Sequence, residues 1–159
     1  MGRHFTARVI VTLAATASLA LLPVMSASAA TTPVSCKTFT SPPAKLVAGV
    51  LTSTGKLTGC TPTASTGGTA TNVTTIGKAG IVNTTTWGGG KGKTVAKFAY
   101  KGAPIGNCPT AYHLERVVAT GTVTSSTNNA VPKGAKESAT ICLAKNQSSV
   151  NAPGTTWKF

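Results

Sequence analysis

Aspartate is missing from this chain, and Glu115 and Glu137 are its only acidic residues among 159. A glycosidase with paired carboxylates would have to use those two and no others. Histidine is almost as scarce: His4 lies in the opening segment, leaving His113 alone in the remainder. One histidine and two glutamates make a poor ligand set for a catalytic metal, and no cofactor is expected. The four cysteines include no C-x-x-C pair, which argues against a structural zinc site. Both methionines, Met1 and Met25, fall within the first 30 residues, and aromatic residues are only 5% of the chain. Beyond the opening segment no apolar run is long enough to span a membrane as a helix.

The opening segment has the three parts of a secretory signal. Arg3 and Arg8 give a basic start, Val9 to Leu22 is apolar, and Ala27-Ser28-Ala29-Ala30 offers a small-residue cleavage site after Pro23. The reading is therefore a signal-peptide helix over residues 1–30 and one exported domain over 31–159, secreted or associated with the cell wall. No transmembrane anchor is expected after cleavage. Removal of Arg3 and Arg8 with the signal leaves a net charge of +11 from the chain's +13.

What is abundant is β-branched. Threonine makes up about a fifth of residues 31–159, alongside much Gly, Ala and Val, a composition that favours pleated strands over helices. Cys36, Cys60, Cys108 and Cys142 are an even set in an exported chain and read as two disulfides. Three pairings are possible; the sequential one, Cys36–Cys60 with Cys108–Cys142, closes modest loops and is favoured.

Alternation places the strands. TVAKFAYK (94–101) sets Ala96, Phe98 and Tyr100 on one face and Lys97 and Lys101 on the other. Residues 114–126 put Val117, Ala119 and Val123 together, and 137–145 put Ile141 and Leu143 opposite Cys142. Further strands are expected over 44–53, 56–60, 69–77, 79–87 and 155–159, with a turn at Thr54-Gly55. AKLVAGVLTS (44–53) reads as buried on both faces. Residues 31–43 are extended because Pro33, Pro42 and Pro43 forbid helix. About eight short strands at this spacing predict an all-β fold, a single small β-sandwich of immunoglobulin-like or related type.

Catalytic motifs are weak. GKGKT (90–94) lacks the first glycine of a phosphate loop, since Trp87 stands there, and reads as a glycine-rich turn. His113 and Glu115, on one face of a strand, would give a hydrolase a general base, but no G-x-S-x-G elbow accompanies them. Asn72, Asn83 and Asn146 each begin an N-x-[ST] triplet.

Lysine is the remaining signal. Lys78, Lys91, Lys93, Lys97 and Lys101 fall close together with Trp87 and Tyr100 among them. Convergence on one face would attract an anionic cell-wall polymer or polysaccharide. No element for specific nucleic-acid recognition is visible. The expectation is a monomeric, non-catalytic binding or envelope-associated module. The alternative is a secreted inhibitor or toxin-like protein acting on another protein through the loop beside Cys108, and a third is a hydrolase using His113.

The ASAA signal end, TGC (58–60), the Gly-rich stretch after Trp87, ATGTVT (119–124), ATICL (139–143) and the closing APGTTWKF together resemble small exported actinobacterial proteins, β-rich, Cys-paired and largely of unknown function. That resemblance implies structure and carries no site residues. A looser likeness in size, cysteine count and composition is to the apochromoproteins, two-disulfide β-sandwiches that carry an enediyne; those are typically acidic, whereas this chain is basic.

Overall fold

A computed structural model describes residues 32–159. The expected signal segment lies outside the described residues. The described residues form ten strands: β1 (Ser35–Ser41), β2 (Lys45–Val47), β3 (Val50–Thr61), β4 (Thr69–Gly77), β5 (Gly80–Trp87), β6 (Lys93–Ala103), β7 (Glu115–Ser126), β8 (Lys136–Leu143), β9 (Ser149–Asn151) and β10 (Trp157–Lys158). Strands β3 to β8 form an antiparallel meander, each paired with its successor.

The expected β-sandwich is corrected here. Strand β1 pairs with β3 along its length and with β9 at its C-terminal end, while β9 also pairs with β8. That circuit closes eight strands (β1 and β3 to β9) into a barrel. Strand β10 bridges β1 and β8 at the other end of the same seam, and β2 folds back as a hairpin on β3. In-and-out alternation is common to sandwiches and barrels; the pairing of the first strand around the far side is what separates them.

The lumen is a packed core. Trp157 packs at a tilt of 58° against Phe39, 4.8 Å between ring centroids, and Trp87 meets Phe159 edge-on at 4.7 Å. Phe98, Val117, Ala119, Val123 and Ile141 project inward beside them. Thr54-Gly55, expected as a turn, is mid-strand in β3. Gly55 lies under the Phe39 ring, where a Cβ would come within 2.2 Å of Phe39 Cε2. The turn falls instead at Ala48-Gly49, both with positive φ (49° and 77°), the backbone of a type I′ hairpin. The expectation that 44–53 is doubly buried is also corrected, because Leu46, Val47 and Val50 stand exposed at the hairpin tip.

Two disulfides brace the wall. Cys36–Cys60 links directly opposed residues of β1 and β3, across the pair that closes the barrel. Cys108–Cys142 ties the β6–β7 connection to the outer face of β8, packed with Ala152, Tyr112 and Val150. These are the sequential pairings.

Candidate functional site

Two features stand out: the outer wall around β6 and the open end of the barrel. Inward-facing Ala96, Phe98 and Tyr100 force Lys93, Lys97 and Lys101 outward on alternate positions of β6, and all three are exposed. At about 3.4 Å per residue each step of four covers roughly 13 Å, so the three form a row about 27 Å long. Lys97 lies opposite Thr122 of β7, which lies opposite Lys136 of β8. Lys136 Nζ donates to Thr122 Oγ1 at 2.9 Å. Lys97, Thr120, Gly121, Thr122 and Lys136 outline a shallow depression on this wall. Lys158 of β10 extends the cationic surface next to β8, opposite Ser138.

The five lysines singled out in the sequence are not all brought together. Lys78 occupies the β4–β5 turn at the open end, while Lys91 sits in the β5–β6 connection at the opposite end. Lys136 and Lys158 were missed because they lie 35 or more residues beyond the lysine-rich stretch and join it only through strand pairing.

Both acidic side chains turn away from the outer wall. Glu137 points into the lumen and is 2% exposed. Burial pushes its carboxyl up to about 8, with Trp157 Nε1 opposing in the other direction. That indole does not reach hydrogen-bond geometry, so Glu137 Oε1, Glu137 Oε2 and Trp157 Nε1 are buried without partners, and burial prevails. Glu115 starts β7 at the open end and lines the cavity there. The cationic wall therefore carries no side-chain carboxylate.

A different polar cluster is fully satisfied. Asn72 on β4 and Asn83 on β5 exchange amide hydrogen bonds of 2.7 and 2.9 Å inside the barrel. Thr85 Oγ1 accepts from Asn72 Nδ2 at 3.1 Å, and Thr74 Oγ1 accepts from Asn83 Nδ2 at 3.1 Å. Both asparagines are 1% exposed, so neither triplet is an accessible glycosylation acceptor. Asn146 is exposed, and its side chain caps its own turn through Ser148.

The open end lies where β3, β5, β7 and β9 begin and β4, β6 and β8 finish. A cavity of about 300 Å³ enters the lumen there, between Phe39, Tyr100, Ile141 and Trp157. Burial raises the Tyr100 phenol above its ordinary pKa; the Thr74 hydroxyl opposes this and the Glu137 carboxyl adds to it. His113 is not on a strand with Glu115. It is exposed in the loop after the 3-10 turn Thr110–Tyr112, beside Lys145 and Asn146, whereas Glu115 faces the cavity. The expected His113–Glu115 face is thus not formed. The glycine-rich 88–92 segment closes the β5–β6 hairpin, with Trp87 N–H donating to Gly92 O at 2.9 Å. No helix follows it to hold a phosphate.

No protein family, curated protein or solved structure matches this chain. Among the described residues no helix is long and apolar enough to cross a membrane, and no cluster of three or more His, Cys, Asp or Glu could hold a metal.

Proposed function

We propose that the chain is an exported, non-catalytic binding barrel that attaches to an anionic polymer of the cell envelope through the outer wall of β6 to β8. The observation that carries this reading is the sorting of charge. Lys93, Lys97, Lys101 and Lys136 face out on neighbouring strands, while the only two acidic side chains face the lumen or its mouth. A water-facing wall needs charge for solubility, but solubility is served by mixed signs. A wall of one sign concentrates counter-charged polymer and gains affinity by releasing its counterions. The threonines between the lysines add hydroxyl donors for phosphate or sugar oxygens. Two disulfides bracing a domain with few large apolar side chains accord with work outside the cytoplasm.

The reading is tested by sedimenting the mature protein with washed bacterial walls, with and without teichoic acid, at ~50 mM and ~500 mM salt. The expected result is co-sedimentation at low salt, release at high salt and loss when the teichoic acid is stripped. Protein that stays in the supernatant throughout contradicts it.

A further inference from the structure

The cavity at the open end of the barrel has a lining opposite in charge to the outer wall. This cavity, about 300 Å³, is walled by Phe39, Leu51, Ile76, Ile141 and Trp157, and no Lys, Arg or His lines it. Glu115 stands at its mouth, and Tyr100 and Gln147 are among the other residues that line it. Gly102 of β6, which pairs with Val117, lies diagonally beside Glu115: a Cβ there would lie 3.4 Å from Glu115 Oε1. Five large apolar side chains are exposed among the described residues, and all occupy the hairpin and loops of this end: Leu46, Val47, Val50, Ile105 and Leu114.

We propose that this cavity is a binding site for a small organic cation, an aryl- or alkylamine whose apolar body enters the lumen while its ammonium stays at the mouth on Glu115. Three observations select that class. The volume is at the small end of ligand pockets, which run roughly 300–1,000 Å³, and suits one ring with a short aminoalkyl arm. Phe39, Tyr100 and Trp157 present aromatic surface, which attracts both a ring and a cation. The only charged side chain lining the cavity is acidic, so an ammonium is matched and a carboxylate ligand is repelled. The net positive charge of the molecule does not reverse this preference. Lysines of the outer wall act through solvent, where screening sets in over about 8 Å at physiological salt, whereas the Glu115 contact is direct.

The inference is independent of polymer binding by the outer wall, and the test separates them. The two tryptophans give separate indole N–H signals in a proton–nitrogen NMR spectrum of the mature protein. Trp157 lines the cavity, whereas Trp87 Nε1 donates to Thr94 Oγ1 at 2.9 Å and serves as the internal control. The probes are 2-phenylethylamine, the neutral 2-phenylethanol and the anionic 3-phenylpropanoate. Saturable movement of the Trp157 signal with the amine is expected, with Trp87 still. The alcohol should bind about tenfold more weakly, as loss of a charge-assisted contact implies. Glu115→Gln should abolish the preference for amine over alcohol while leaving the Trp87 signal and wall binding intact. The proposal is overturned by an amine that moves neither indole up to ~10 mM, by an alcohol or carboxylate that binds as well as the amine, or by a Glu115→Gln protein that keeps the preference.

Discussion

Glu137 and the Asn72–Asn83 pair are the polar residues on which the interior depends most, and they behave oppositely. The asparagines bond one another and share Thr74 and Thr85, so removing one strips the other of half its partners. Asn83→Ala removes four hydrogen bonds of the buried cluster, leaving Asn72 with Thr74 and Thr85 alone, and should cost about 3 kcal/mol by urea denaturation, whereas replacing both asparagines with Leu should cost less. Glu137 has no partner, and its folded-state pKa of about 8 lies above the ordinary carboxyl value of 4.5. The folded protein therefore holds a proton that the unfolded chain releases. Its contribution is fully present below pH 4.5 and is lost as pH rises to about 8. Stability measured from pH 4.5 to 8 should decline, by an amount on the order of a few kcal/mol, and Glu137→Gln should flatten the decline. A Gln variant that follows the same curve as the parent would assign the pH dependence elsewhere. Neither feature was legible in the sequence. Asn72 and Asn83 sit where a core-facing apolar residue is expected, and only their register across β4 and β5 shows that they meet.

At the scale of elements, alternation was readable and closure was not. The inward faces of β6, β7 and β8 follow from Phe98 and Tyr100, Val117 and Ala119, and Ile141 and Leu143, because a period of two fixes a face once one residue is placed. The strands that close the barrel carry weaker signals. Strand β1 precedes two prolines and reads merely as extended, and β9 is three residues long. Their partners lie far away in sequence: Thr40 faces Val150. The hairpin tip was misplaced because Ala48 adopts a left-handed conformation usually given to Asn or Gly, while Gly55 is needed for ring packing rather than for turning. The Cys36–Cys60 bridge crosses the closing pair β1–β3. Replacing both cysteines with Ala should lower stability by about 3 kcal/mol in a denaturant titration, the value for a loop of this length. An unchanged midpoint would show that the hydrogen-bonded seam holds the barrel by itself.

Over the whole molecule, the fold sorts charge by face. Eleven net positive charges remain on the chain without its opening segment, yet both acidic side chains point into the barrel or its mouth. The outer wall was half legible: the row on β6 follows from alternation, but the partnership with Lys136 and Lys158 is a product of the meander and the closing strand. The mouth was not legible, since Glu115 reads as a partner for His113 until the loop before β7 turns the histidine outward. Charge sorting is the central claim, and one measurement addresses it directly: the affinity of a protein of residues 31–159 for poly(glycerol phosphate), titrated from ~50 to ~500 mM salt, beside a Lys93→Gln/Lys97→Gln/Lys101→Gln/Lys136→Gln variant. The expected slope of log affinity against log salt is about −3, as three or four neutralised phosphates imply, with most of that slope lost in the variant. Equal binding by the two proteins, or binding indifferent to salt, would contradict the account.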